Sequence, residues 1–170
     1  MKTIKTFIIT TFAIVLTGFA ISCESISNPD PINAIDSTET ATIRGTAYAN
    51  LDETNDTTFT TEENYERAPQ GTTVKVILDS RDFAGNIEPG VDYGSLTFKT
   101  TVNSSGDYSI EVPALGDPIT AEIYFDSFTA SQTQVDSTEE QRSYSPQQFP
   151  YTVNISAGLS TFNDAVYSSN

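Results

Sequence analysis

Thr73-Val74-Lys75-Val76-Ile77-Leu78 and Ser95-Leu96-Thr97-Phe98-Lys99-Thr100 place apolar side chains on alternate positions, the period of two that builds strands with one dry and one wet face. Val74, Val76, Leu78, Leu96 and Phe98 are therefore expected to face a core. Tyr108-Ser109-Ile110-Glu111-Val112 repeats the pattern, with Tyr108, Ile110 and Val112 inward and Ser109 and Glu111 outward. Ahead of it, Asn103-Ser104-Ser105-Gly106 reads as a tight turn joining two antiparallel strands, with Gly106 free to take a positive φ.

The same texture extends outward from these strands. From Ala41 the chain is a series of short runs rich in Val, Ile, Thr, Tyr and Phe, separated by Gly, Pro, Asn and Asp, and no long stretch carries a helical period. The expected strands are Ala41–Asn50, Thr72–Asp79, Leu96–Val102, Tyr108–Val112, Ile119–Phe128, Tyr151–Ile155 and Phe162–Tyr167. About seven strands over roughly 130 residues predict an all-β fold, a single antiparallel β-sandwich occupying residues 41–170. Leu51–Pro69 and Ser131–Pro150 are expected to be mobile surface loops and the first places to look for a binding face.

Ile43-Arg44-Gly45-Thr46-Ala47, Ala68-Pro69-Gln70-Gly71-Thr72-Thr73-Val74-Lys75-Val76 and Thr100-Thr101-Val102-Asn103-Ser104-Ser105-Gly106-Asp107-Tyr108-Ser109-Ile110-Glu111-Val112-Pro113 together resemble the carboxypeptidase-regulatory-like, transthyretin-like β-sandwich. The resemblance covers about Ala41 to Phe128 and rests on turn residues and core apolars, so it implies a fold and no activity. It departs from the pattern in the insertion between Ala49 and Ala68 and in the carboxy-terminal third.

The amino terminus has a different character. Met1-Lys2-Thr3-Ile4-Lys5 precedes an apolar run from Phe7 to Ile21, the charged-then-apolar order of an export signal. At about 15 residues the run is shorter than the roughly 20 that a membrane-spanning helix needs, so residues 1–22 are read as a cleaved signal peptide. Ala20-Ile21-Ser22-Cys23 resembles the bacterial lipobox, with Ala20 where that family usually carries Leu. The resemblance implies cleavage before Cys23 and attachment of a lipid (diacylglyceryl and palmitate chains) to its thiol. Residues 23–40 are polar and hold Pro29 and Pro31, so they are read as a flexible tether. Glu24, directly after Cys23, resembles the signals that send some lipoproteins to the cell surface. The expected address is the outer membrane or cell surface, with the periplasmic face as the alternative.

The chain has no His and one Cys, which removes Ser-His-Asp and Cys-His catalysis and the usual zinc sites. No nucleophile elbow, phosphate loop or dinucleotide fingerprint occurs, and the chain is read as no enzyme with no required cofactor; a carboxylate-pair glycosidase is the remaining catalytic alternative. Eight basic against 23 acidic residues give a formal charge of −15. Loss of Lys2 and Lys5 with the signal leaves six against 23, a charge of −17. Nucleic acid is disfavoured as a partner, because phosphate recognition needs basic patches.

Several side-chain sets are candidates for function. Asp79, Asp82, Asn86 and Glu88 around Gly85 carry the oxygen ligands that calcium prefers. Tyr65, Tyr93 and Tyr144, expected in loops, offer ring faces and hydroxyls to a glycan. Ser37, Thr57 and Ser137 stand in Asp-Ser-Thr or Asp-Thr-Thr triplets that resemble a bacterial O-glycosylation sequon. The sequence therefore favours a lipid-anchored, non-catalytic structural or adhesive module with a protein partner. An exposed edge strand or apolar patch is the feature that would mark it. A glycan-binding accessory protein and a calcium-dependent adhesin are the alternatives.

Overall fold

The computed structural model describes residues 39–56 and 64–170. Ala20, Ile21, Ser22, Cys23, Ser37 and Thr57 lie outside the described residues. Within them the chain forms strands β1 (Thr40–Ala49), β2 (Glu66–Arg67), β3 (Thr73–Asp79), β4 (Ser95–Thr101), β5 (Asp107–Pro113) and β6 (Ile119–Phe125). These are followed by β7 (Phe128–Thr133), β8 (Glu139–Pro146), β9 (Tyr151–Ile155), β10 (Ser160–Phe162) and β11 (Ala165–Ser169).

The fold is the expected all-β sandwich, with more and shorter strands. One sheet runs β4-β3-β6-β9, antiparallel throughout. The other centres on β1, with β5 and β2 along one side and β10 and β11 along the other, continuing through β8 to β7. Its pairs are antiparallel except those of β1 with β10 and β11, which are parallel.

Alternation decides which faces meet. Val74, Val76, Leu78, Tyr108, Ile110 and Val112 are buried between the sheets as their spacing predicts, while Ser109 and Glu111 are exposed. Leu96 and Phe98 also point inward but remain half-exposed, because β4 is the last strand of its sheet. The turn before β5 forms as expected. The Asn103 N–H donates to the Asp107 carbonyl at 2.8 Å, the Asn103 Oδ1 accepts from the backbone of Ser105 and Asp107, and Gly106 adopts φ 78°.

Aromatic rings fill the middle of the sandwich. Phe125 meets Tyr108, Tyr151 and Tyr167 edge-on, with ring centroids 5.3, 5.4 and 6.5 Å away. Edge-to-face contact is the favoured arrangement of ring quadrupoles. Each buried hydroxyl reaches the backbone: Tyr108 donates to the Asn163 carbonyl at 2.6 Å and Tyr167 to that of Asp126 at 3.0 Å, and Tyr151 accepts from the Val166 N–H at 3.2 Å. Such bonds contribute about 1 kcal/mol net, but leaving a buried partner unmade costs more, so these tyrosines fix how the sheets register.

The segment expected as one strand, Phe162–Tyr167, breaks at Asn163-Asp164 into β10 and β11, and β1 accommodates the break. The Asp164 carboxylate accepts from the Thr46 N–H at 2.8 Å, and the Asn163 N–H donates to the Arg44 carbonyl at 3.0 Å. The Asn163 carbonyl turns into the space above Gly45, where a Cβ would sit 1.9 Å from the oxygen. Glycine is required there by close approach, with φ playing no part.

The loop expectation is corrected for Ser131–Pro150, and for Leu51–Pro69 it is tested only at residues 51–56 and 64–69, the rest lying outside the described residues. Ser131–Pro150 is largely ordered as the β7–β8 hairpin. Its turn is closed by the Gln134 N–H donating to the Thr138 carbonyl at 2.7 Å, by Asp136 accepting from the Thr138 N–H and hydroxyl, and by Ser137 at φ 64°. Polar strands at a sheet edge lack the apolar alternation that identifies inner ones, which is why the sequence reads as loop here. In Leu51–Pro69, the Glu66 carboxylate accepts from the Leu51 and Asp52 N–H groups, and Asp52 caps a 3₁₀ turn at Glu53–Asn55.

Candidate interaction surface

The outer edge of β4 is the most open backbone edge among the described residues. The pairing of β4 with β3 is unbroken over seven residue pairs, from Thr73↔Thr101 to Asp79↔Ser95. The Val102 N–H donates to the Thr72 carbonyl at 2.9 Å, and the Ser80 N–H to the Gly94 carbonyl at 3.3 Å, so the even-numbered residues of β4 bond to β3. By antiparallel alternation, the N–H and C=O groups of Ser95, Thr97, Lys99 and Thr101 point away from the sheet.

The other edges are shorter or already engaged. On β7 the Thr133 N–H donates to the Leu51 carbonyl at 2.9 Å, and the buried Gln132 amide donates to the Asn50 carbonyl at 2.9 Å. On β9 the Asn154 carbonyl accepts the Thr161 hydroxyl at 3.2 Å. On β5 the turn occupies Asp107 at one end and Pro113 lacks a donor at the other. β4 has no proline, no bulge, no acidic residue and one lysine. Its devices against stray pairing are therefore few.

A second feature lies at the tip of the β7–β8 hairpin. Glu53, Gln134, Val135, Asp136 and Thr138 line a shallow, open depression there. The Thr138 hydroxyl and backbone hold the Asp136 carboxyl below its ordinary range, and the Ser131 and Thr133 hydroxyls do the same for Glu139. The tip therefore stays anionic into mildly acid solution.

The residues singled out in sequence are distributed as follows. Asp79 caps the 3₁₀ turn Ser80–Phe83 by accepting from the Arg81 N–H at 2.9 Å. Partial burial, then the neighbouring Asp79 carboxylate, raise the Asp82 carboxyl above its ordinary range, with Arg81 opposing. Among the described residues no three acidic side chains gather as a metal-holding group. The loop carrying Asn86 and Glu88 is instead braced by Tyr93, whose hydroxyl accepts from the Glu88 N–H at 2.8 Å and lies 3.2 Å from the Asn86 carbonyl. Tyr93 and Tyr65 are half-buried. Tyr144, expected in a loop, lies in β8 with 0% of its surface exposed, its ring stacked on Phe128 and its hydroxyl donating to the Asn50 carbonyl at 2.9 Å. It offers no face to a ligand. Ser137 is exposed at the hairpin turn.

Sequence reasoning named the β4 strand but did not single out its edge. The signal is in the half-apolar inner face of Leu96 and Phe98, which only the sheet order shows to be terminal.

No protein-family model matches the chain, and none of the curated proteins compared with it does. Among solved structures it is similar to the minor pilin GBS52 of Streptococcus agalactiae, at 12% identity and a TM-score of 0.42, covering 78% of this chain and 45% of that one. It is also similar to the shaft pilin SpaA of Lactobacillus rhamnosus GG, at 8% identity and a TM-score of 0.42, covering 78% of this chain and 51% of that one. The chain thus spans about half the length of the pilins it matches.

Proposed function

We propose that this chain is a non-catalytic envelope or cell-surface lipoprotein, anchored through Cys23, whose sandwich is a structural and adhesive module. The observation that supports this reading most directly is the parallel pairing of the first strand with the last two. Thr42–Arg44 pair with Ser160–Phe162, and Ala47–Ala49 with Ala165–Tyr167. Because β1 and β11 run the same way, the entry at Thr40 and the exit at Ser169 lie at opposite poles. A load between the poles shears the parallel ladder along its length, so the bonds resist together and do not open one at a time.

The same geometry sets the display. β8 runs against β11, with Ser169 opposite Tyr144, so the hairpin tip at Gln134–Thr138 extends beyond the end of β11. With Cys23 in a membrane, this acidic tip stands at the pole away from the anchor. Two measurements test the reading. Cys23→Ser is expected to move the protein from the membrane fraction to the soluble fraction; retention in the membrane would sink the anchor. In single-molecule pulling, attachment at Thr40 and Asn170 is expected to need a higher unfolding force than attachment at Val135 and Asn170, which peels the ladder apart. Equal forces would remove the mechanical argument.

A further inference from the structure

We propose that the free edge of β4 pairs with the same edge of a second copy, antiparallel and centred on Phe98, joining the two four-stranded sheets into one of eight. The proposal goes beyond the module reading by naming the partner and the register.

Register follows from which groups are free. Ser95, Thr97, Lys99 and Thr101 present outward N–H and C=O groups, and an antiparallel partner must meet them with outward-pointing groups of its own. Two copies satisfy this when Thr97 of each faces Lys99 of the other and Ser95 faces Thr101. Phe98 then faces its counterpart in the closer, non-hydrogen-bonded kind of pair, where Cα atoms stand about 4.5 Å apart.

Side chains favour the same arrangement. A two-fold axis normal to the sheet keeps Leu96, Phe98 and Thr100 of both copies on the inner side, so the half-exposed Leu96 and Phe98 gain cover from their equivalents. Parallel pairing would put one copy's Leu96 and Phe98 on the wet face of the other. A one-residue slip would likewise set free backbone groups against groups already bonded to β3.

Charge favours a second copy at this edge over the others. The chain carries −15 overall, yet β4 brings no acidic residue to the seam, and across it Lys99 faces Thr97 with no like charge opposite. Long-range repulsion between two acidic molecules still opposes the contact, and salt screens it. The association is therefore weak at low ionic strength and strengthens as salt is added.

The test uses residues 23–170 bearing Cys23→Ser, which contains every strand of the sandwich. Sedimentation equilibrium is expected to show a monomer–dimer equilibrium whose association constant rises at least threefold between 20 and 300 mM salt, values on the order of the screening change involved. Thr97→Pro removes an outward N–H while leaving the β3 ladder intact, and is expected to abolish the dimer with an unchanged circular dichroism spectrum. Register is read from two exposed single-cysteine variants, Thr97→Cys and Lys99→Cys. The mixture is expected to form the mixed disulfide faster than either forms its own, since facing residues stand about 5.5 Å apart, within disulfide reach. A strictly monomeric protein at all salts, a dimer indifferent to Thr97→Pro, or equal rates of like and mixed cross-linking would each overturn the proposal. None of these results would bear on the Cys23 anchor, which fractionation reads separately.

Discussion

Gly45→Ala is the substitution whose cost the geometry fixes most closely. The added Cβ would lie 1.9 Å from the Asn163 carbonyl oxygen, where ordinary contact begins near 3.4 Å, so about 1.5 Å of room is missing. The obstructing atoms are backbone. They are held by the Asn163 N–H on Arg44, by the Tyr108 hydroxyl at 2.6 Å and by the Asp164 carboxylate on the Thr46 N–H. Relief must move the β10–β11 junction and stretch these bonds. Overpacking of this kind costs about 1–3 kcal/mol, and weakening one or two of the bonds adds about 1 kcal/mol each, so a loss of about 3 kcal/mol is expected. For a sandwich of this size that corresponds to roughly 10 °C or more in melting temperature. Gly85→Ala is the internal control, since nothing lies within 4 Å of its Cβ position and its φ is not left-handed. Calorimetry on both variants decides the matter. If Gly45→Ala melts within about 2 °C of Gly85→Ala, an interval below 1 kcal/mol, the account of the break is wrong.

Burial pushes the Tyr108 hydroxyl up to about 12, and it raises that of Tyr167 as well. The folded state thus holds protons that the unfolded chain has lost above pH ~10; stability is whole below that pH and falls as pH rises toward 12, by about 1.4 kcal/mol per pH unit for each such tyrosine. Urea midpoints between pH 9 and 12 should fall accordingly and less steeply in Tyr108→Phe; an identical slope would remove Tyr108 from the account. Lys75 and Asp126 form an ion pair at 2.6 Å with a third or more of each side chain exposed, so Asp126→Asn should cost under about 1 kcal/mol in a chemical melt. Replacement of Gln132, buried on β7, by Leu removes one of the two donors to the Asn50 carbonyl and the acceptor of the Gln134 amide, and should cost about 1–2 kcal/mol; a stabilised variant would refute that. Calcium at millimolar concentration should leave the melting temperature unchanged against chelator, because Asp79 and Asp82 gather no third carboxylate among the described residues; a rise of several degrees would support the calcium reading.

What the sequence made legible was whatever depends on alternation. β3, β4 and β5 carry strict period-two patterns, and their inward residues fell where the spacing placed them. The β7–β8 hairpin was missed because its inward positions include Gln132 and its outer face is Ser, Thr, Gln and Glu, so hydropathy reports no strand. Its core contribution comes through the stacked rings of Phe128 and Tyr144, 5.1 Å apart, which only the pairing of the two strands brings together. The tyrosine reading failed at Tyr144 for the same reason: the segment expected as a loop is strand β8, which turns the ring inward and sets its hydroxyl on the Asn50 carbonyl. The parallel pairing of β1 with β10 and β11 leaves no local trace at all, since it joins residues more than a hundred positions apart. The open edge of β4 is legible only once the sheet order is known.

Antiparallel pairing through β4 would constrain copies anchored through Cys23 as proposed, because it would invert one sandwich relative to the other. β1 spans ten residues, roughly 33 Å, so the entry points of two paired copies lie at opposite poles some such distance apart. With both Cys23 lipids in one membrane, the chain between Cys23 and Thr40 of the inverted copy must cover that height. Its sixteen residues, Glu24 to Glu39, reach at most about 53–58 Å, enough for one membrane. Deleting residues 27–36 leaves six residues and a reach of about 20 Å, too short for the inverted copy, while pairing between copies on two facing membranes would still be allowed. The deletion is therefore expected to abolish cross-linking of Thr97→Cys with Lys99→Cys among copies that share one vesicle, read on vesicles immobilised too far apart to touch. The same variants on two populations, one carrying each cysteine, should still cross-link on mixing. Retained cross-linking within isolated vesicles would show that the copies pair without inversion, and the antiparallel register would fall with it.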